Sequence, residues 1–348
     1  MRPGIVTYNP FLQLLFASGQ VPMPLLEVFW SMGMSRSIIA GVRLGIFDVL
    51  ALDAKDAATI ANSINGDPNS VKVLLDALTG FGYLHRKAGL YSLTSKSRKW
   101  LQSTTSNSLV EGIRFIGDLF QGIEPIETAI LTGKVDNFHH KTNSPDFWRD
   151  YMRGLAKIAS LVSEQVIRRI PVSNAEPKRL LDVGGGHGMF SVAFCRRYPT
   201  AQAEILDLPE VLPHGQALVK EAGYAERIQY RSGDLRTIEW GDNFDVVFLF
   251  NILHNLSAAE CATAISKAHT ALRPSGRIVI LDSQHEGGQD QLSALAGFNE
   301  LFFFLVSGSQ AWPEATIRDW LQSSNFQNCK RGTTIPLPGL LMLTAQNS

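Results

Sequence analysis

Two hydrophobic periodicities divide the chain. Up to about residue 170, apolar residues recur mostly at helical spacing; from Arg179 onward, short apolar runs alternate with amphipathic stretches. Phe11 to Met34 is markedly apolar, but Pro22 and Pro24 break it, Gly19 weakens it and Glu27 sits inside it. No part reaches the roughly 18 uninterrupted apolar residues of a spanning helix, and no cleavage-site pattern follows. Two short helices that bury their apolar faces against another subunit are the expectation. Ser35 to Leu50 then reads as an amphipathic helix through Ile38, Ile39, Val42, Leu44, Ile46 and Phe47. Ala57 to Ile64 gives a second, ended by Asn65-Gly66, and Asp67-Pro68-Asn69-Ser70 supplies cap chemistry for a third, Val71 to Leu78. Tyr83 to His85 and Leu90 to Leu93, around Lys87-Ala88-Gly89, read as a hairpin. Three helices and a hairpin predict a winged helix.

Ser108 to Ile170 reads as helices interrupted by a polar loop at Asp136 to Ser144, with Phe147 to Ile170 the longest helical pattern there. Pro171 to Pro177 is the clearest linker. Beyond it, strands are expected at Arg179 to Val183, Ala203 to Leu206, Ile228 to Arg231, Phe244 to Leu253 and Gly276 to Leu281. Helices are expected between them: Met189 to Arg197, about Pro209 to Ala222, and Ser257 to Leu272. An aromatic helix around Phe298 to Val306, a helix from about Pro313 to Ser323 and two short strands close the chain. Alternating strand and helix predicts a doubly wound α/β sheet, whose ligands sit at the carboxyl ends of the strands.

At 348 residues the chain is long for one domain, and the pattern predicts a winged helix over 1–105, a helical connector over 106–174 and the α/β domain over 175–348. The formal net charge is zero, which removes the broad attraction by which proteins hold nucleic acid or anionic lipid. The third winged-helix segment carries only Lys72, opposite Asp76, although the wing adds Arg86, Lys87, Lys96, Arg98 and Lys99. A packing and dimerisation module is therefore expected rather than a DNA reader. Cys195, Cys261 and Cys329 are scattered, without metal-ligand spacing, so a reduced cytoplasmic setting is expected with no disulfide frame and no metal.

Candidate chemistry begins at the first α/β turn, Asp182-Val183-Gly184-Gly185-Gly186-His187-Gly188. Glycine lets the backbone turn sharply and approach a ligand without Cβ clashes. A dinucleotide fingerprint would require glycine at 189, where Met stands. Asp182 would repel a pyrophosphate but not a ligand carrying an ammonium and a sulfonium. Asp207, ending the second strand, can accept from both ribose hydroxyls, and Asp234, in Ser232-Gly233-Asp234-Leu235, from an adenine amino group. Leu208 and Leu235 would cover the faces of the adenosine. At the end of the fourth strand lies Asn251-Ile252-Leu253-His254-Asn255-Leu256. A neutral imidazole there can take the proton of an alcohol or phenol that attacks a methyl sulfonium.

With these motifs in place, the chain resembles the small-molecule O-methyltransferases related to the caffeate and hydroxyindole enzymes, over essentially its whole length. That resemblance implies a winged-helix dimerisation region, a connector contributing to the acceptor pocket, and a Rossmann-like domain with a seven-stranded, mostly parallel sheet. It implies S-adenosyl-L-methionine as cofactor, held by Asp182, Gly184, Gly186, Asp207, Leu208, Gly233, Asp234 and Leu235, with Asn251 beside them. It implies a homodimer acting on a small acceptor, with His254 as base in a stretch matching L-H-D-W. Asp282 aligns with a glutamate that buttresses the histidine, and Trp148 and Met152 with acceptor-lining positions. Phe298, Phe302, Phe303 and Trp312 are further acceptor candidates. The chain departs from the pattern at Asn255, at Phe250 and at Ala311, where a second carboxylate stands in plant relatives; a less fixed imidazole is the expectation. That departure leaves N- or C-methylation, or a non-methylating reaction on the same cofactor, as an alternative, and the basic wing leaves a cofactor-regulated DNA-binding protein as a third. His139-His140 and His285-Glu286 are expected to be solvated surface.

Overall fold

A computed structural model describes residues 9–140, 145–172, 179–286, 292–332 and 339–348. Most of the expected 171–177 linker and the end of the 136–144 loop lie outside these residues. The chain divides into two compact units at Asp118 and Leu119, inside the helix Val110–Ile123.

In the first unit, helix Pro10–Ala17 is capped by the Asn9 side chain, and a single helix runs from Met23 to Arg43. Pro24 stands in its first turn, where a missing N–H costs nothing, so it starts the helix rather than interrupting it. The helix expected at 35–50 is thus the end of a longer one, and Gly45, at φ 71°, breaks it before the turn Ile46–Val49. Helices Ala57–Ser63 and Pro68–Gly80 follow, each with an aspartate cap: Thr59 N–H donates to Asp56 and Ser70 N–H to Asp67. Strands β1 (Leu84–Lys87) and β2 (Leu90–Leu93) pair antiparallel across Ala88 and Gly89, both left-handed. Ile46, Phe47, Leu75, Leu78 and Tyr91 form the buried core. Lys72 and Arg86 both pair with Asp76, while Lys96 and Lys99 lie over the Tyr83 and Trp100 rings. These cations are thus engaged within the unit. Phe11, Leu14, Leu25, Val28 and Phe29 are each more than three-fifths exposed.

The second unit contains helices Ile126–Thr132, Pro145–Ser160 and Ser163–Arg168. The single helix expected over 147–170 is broken because the N–H groups of Leu161 and Val162 bond three residues back, to Ile158 and Ala159. That tightened turn drives Val162 into the core. Strands β3 (Arg179–Val183), β4 (Gln202–Asp207), β5 (Ile228–Ser232), β6 (Phe244–Phe250), β7 (Leu272–Ser283), β8 (Phe326–Arg331) and β9 (Leu340–Asn347) make one sheet in the order β5-β4-β3-β6-β7-β9-β8. β5, β4, β3, β6 and β7 run parallel, and β9 and β8 add antiparallel pairs. Helices cover both faces: Val166, Phe194 and Val219 pack on one, Ile265, Ala268, Ile317 and Leu321 on the other. The central strand β6 is accordingly nearly all apolar. The order reverses beside β3, which opens a crevice at the carboxyl ends of β3 and β6. No helix among the described residues is long and apolar enough to cross a membrane.

Candidate active site

The turn after β3 is shaped by its glycines. Gly184, Gly186 and Gly188 take positive φ (67°, 48° and 74°). A Cβ at Gly184 would stand 2.3 Å from Ile252, and one at Gly185 would stand 2.6 Å from the Asp182 carboxyl carbon. At these two positions the loop closes on the strand ends with no room for a side chain. Its conformation is pinned by Gly184 N–H donating to the Leu206 carbonyl (2.7 Å) and by Tyr230 OH donating to the Gly186 carbonyl (2.9 Å).

Asp182 lies beneath this loop, 1% exposed. Ser191 Oγ donates to one of its oxygens at 2.6 Å, while the other, Oδ1, is buried with no hydrogen-bond partner among the described residues. Burial pushes its carboxyl up to about 7, with nearby Asp207 adding to the rise and the Ser191 bond opposing it. Asp207, at the end of β4, accepts from the N–H groups of Gly186 and Leu208, each at 2.7 Å. Burial pushes its carboxyl up to about 6 against those two bonds. Two raised carboxyls and an orphaned acceptor under a glycine-rich loop fit a cationic ligand. His187, which sequence reasoning left unassigned, is buried in the same loop, accepts from Met189 N–H through Nδ1 (3.0 Å), and is pushed down to about 4 by burial.

The remaining expected cofactor residues sit at adjoining strand ends. Gly233 N–H donates to the Asp207 carbonyl (2.9 Å), and a Cβ there would collide with Ile238 at 2.6 Å. Asp234 has both carboxylate oxygens against the Arg236 guanidinium. Leu235 packs on the sheet core and its carbonyl accepts from Trp240 Nε1 (2.9 Å). Asn251, at φ 54°, ends β6 three residues earlier than expected and turns the chain into a 3-10 turn, Leu253–Asn255.

That turn buries His254. Its Nδ1 lies 2.5 Å from Asp282 Oδ1, and the N–H groups of Leu253 and Ser283 donate to the same carboxylate at 3.0 and 2.7 Å. Asp282 is the penultimate residue of β7 rather than a residue beyond it, and this position lets the shorter side chain reach the imidazole. The Phe303 ring stacks on the imidazole, with centroids 3.9 Å apart and planes at 15°. With Ala311 in place of a second carboxylate, Asp282 bonds the edge of the imidazole and the Phe303 ring covers its face. Ala311 is buried, and its neighbours bond the turn instead, with Trp312 Nε1 donating to the Leu253 carbonyl (3.0 Å) and Ser309 Oγ to that of Leu256 (2.6 Å).

Of the expected acceptor residues, Trp148 and Met152 are buried with Leu208 and Val211. Met152 sulfur would be 3.5 Å from a Cβ at Gly186, which puts it beside the glycine loop. Phe298 and Phe302 stack 5.8 Å apart, Phe298 exposed and Phe302 edge-on to Phe303. Two expectations of solvated histidines are corrected. His139 is half-buried in a cluster with Phe138, Phe147 and Tyr151, its Nε2 3.2 Å from Tyr151 OH. His285 is half-buried with Nδ1 2.6 Å from Glu300 Oε1. In each case a partner distant in sequence partly shields the imidazole.

Comparison with known proteins identifies the family. The chain is 23% identical over 317 residues to 3-hydroxy-5-methyl-1-naphthoate 3-O-methyltransferase of Streptomyces sahachiroi, covering 87% of this chain and 89% of that one. It is 27% identical to mouse acetylserotonin O-methyltransferase, covering 72% and 69%. Its fold matches the crystal structure of human N-acetylserotonin methyltransferase with a TM-score of 0.81, at 19% identity, over 93% of this chain and 97% of that one. A family model of the O-methyltransferase dimerisation domain matches residues 26–103, and one of the O-methyltransferase domain matches residues 127–326. Since the latter spans more than half of its length, the chain belongs to the O-methyltransferase family.

Proposed function

We propose that this O-methyltransferase transfers a methyl group to a hydroxyl of a small aromatic metabolite, with S-adenosylmethionine as donor and His254 as general base. The observation that carries the reading is the buried His254–Asp282 pair, His254 on the turn after β6 and Asp282 near the end of β7, beside the strand β3 that carries the glycine loop. When bound, S-adenosylmethionine supplies a methyl group on a positively charged sulfur. Asp182, Gly184, Gly186, Asp207 and Leu208 would hold it on the β3–β4 side, and Gly233, Asp234, Leu235 and Asn251 at the flanking strand ends. His254 Nε2 takes the proton of the acceptor hydroxyl, and Asp282, bonded to Nδ1, stabilises the imidazolium that forms. Trp148, Met152, Phe298 and Phe302 offer a flat apolar acceptor its surface.

The test is incubation with methyl-labelled S-adenosylmethionine and a panel of phenols that includes acetylserotonin and 3-hydroxy-5-methyl-1-naphthoate, substrates named by the relatives. Label on the oxygen of at least one acceptor is expected. Tight cofactor binding with no transfer, or label on carbon or nitrogen, would sink the proposal.

The exposed apolar row of the first unit and the match to a dimerisation domain support a homodimer. Light scattering should give twice the mass of one chain for the wild type and a shift toward the single chain for Val28→Asp combined with Phe29→Asp. An unshifted mass would place the interface elsewhere.

A further inference from the structure

The helix Ala294–Ser307 touches the catalytic turn along one face. Glu300, Phe303 and Ser307 recur at i, i+3 and i+7, so they line up on one side of it. Phe303 lies on the His254 ring, and Ser307 Oγ donates to the His254 carbonyl at 3.2 Å. Just beyond the helix, Ser309 and Trp312 hold the carbonyls of Leu256 and Leu253. This end of the helix is thereby tied to the turn that carries the base.

The other end is tied to the extension of β7. Glu286 accepts from Ser293 N–H at 3.0 Å, where Ser293 caps the helix, and His285 Nδ1 meets Glu300 Oε1 at 2.6 Å. His285 stands three residues after Asp282, the carboxylate that bonds the His254 edge. The contacts close a ring: Asp282 to His254, His254 to Phe303, Phe303 along one helical turn to Glu300, Glu300 to His285, and His285 back along the chain to Asp282.

We propose that His285 and Glu300 are positioning residues for the base: their bond sets the height of the helix over the crevice and so keeps Phe303 flat on His254 while Asp282 holds its edge. The inference rests on the reading of His254 as base. In it, a single carboxylate suffices at the imidazole because the second constraint is a phenyl face, and a face constrains only while its helix stays in place. Neither His285 nor Glu300 is assigned any contact with acceptor or cofactor. Removing the bond therefore lowers turnover rather than affinity.

The experiment compares His285→Ala, Glu300→Ala, the double variant and Glu300→Gln in the full-length enzyme, with the acceptor that turns over best in the phenol panel. Each alanine variant should lose about 10-fold in kcat, since small misplacements of a catalytic group have effects of this order and larger. KM for both substrates and the S-adenosylmethionine Kd should stay within about twofold of wild type. The double variant should lose no more than the worse single, because both remove one bond. Glu300→Gln, whose amide oxygen still accepts from Nδ1–H, should recover most of the loss. A readout without turnover is the His254 Hε1 resonance in protein labelled at histidine Cε1, assigned by its absence in His254→Ala. Lying over the Phe303 face, it should be shifted upfield in the wild type, move downfield in both alanine variants and return in Glu300→Gln. A raised acceptor KM with unchanged kcat would overturn the proposal in favour of acceptor contact. An unmoved resonance, or a kcat loss that only tracks a lower melting temperature, would overturn it too. If His254→Ala leaves the rate intact, the base reading fails separately, and the resonance still decides whether the pair positions the ring.

Discussion

His254→Ala should lower kcat for methylation of an ordinary phenol by about 10²- to 10³-fold while leaving S-adenosylmethionine affinity within about twofold, as loss of a positioned general base does. The imidazole sits on the turn after β6, and its Nδ1 is occupied by Asp282. Only Nε2 remains to accept a proton. A phenol with pKa near 10 is almost entirely protonated at pH 7, so the base supplies most of the nucleophile. The loss should accordingly shrink for nitrophenols, which ionise near neutrality without help, and shrink as pH is raised. Initial rates across a series of phenols of graded acidity measure this. An equal loss for every phenol would mean that His254 orients the acceptor rather than deprotonating it, and no loss at all would remove the base.

The same geometry makes Asp282→Asn nearly as damaging. Asp282 accepts from Nδ1–H and thereby leaves the Nε2 lone pair free. An asparagine amide that donated to Nδ1 would put the proton on Nε2, the wrong tautomer for a base. It would also disturb the carboxylate's bonds to the N–H groups of Leu253 and Ser283, so the turn itself would loosen.

What could be read before folding follows from how local each signal is. The glycine loop is legible because backbone conformation is the requirement, and the positive φ at Gly184, Gly186 and Gly188 favours glycine. His254 is legible because it ends a long apolar run in a register that places it at a strand's carboxyl end. Asp282 needed the resemblance, since an acid near the end of a strand has many bland uses. The stacking of Phe303 was hidden in the run Leu301 to Val306, where every residue is apolar and spacing alone does not say which ring meets His254. His285 and His139 looked like loop histidines because their partners, Glu300 and Tyr151, lie 15 and 12 residues away. The break at Leu161 and Val162 has no glycine or proline to announce it; tertiary burial of Val162 overrides a continuous helical pattern.

Asp182→Asn should weaken S-adenosylmethionine binding about 10- to 100-fold at pH 8 and yet raise the melting temperature of the ligand-free protein there. Burial beneath the glycine loop lifts the Asp182 carboxyl from its ordinary 3.8 to about 7. The folded chain then keeps, between about pH 4 and 7, a proton that the unfolded chain has released. Stability therefore falls as pH rises through that window and levels off above it; a shift of this size corresponds to about 4 kcal/mol. The uncompensated anion is the cause, and Asp207, pushed up to about 6 beside it, adds to the strain. A cationic ligand reverses this balance by favouring the ionised carboxyls. Binding should release protons between pH 6 and 7, and affinity should rise across that range and flatten by pH 8. Asparagine keeps an acceptor for Ser191 Oγ but carries no charge, so it removes the folding penalty and the attraction together. An unpartnered N–H at the position of Oδ1 offsets about 1–3 kcal/mol of that gain. Titration calorimetry at pH 6, 7 and 8, in buffers of different ionisation enthalpy, reads the affinity and the proton count in one measurement. Wild-type binding with no proton release, or an Asp182→Asn variant that binds as tightly as wild type at pH 8, would show that the buried carboxyl serves the loop and not the ligand.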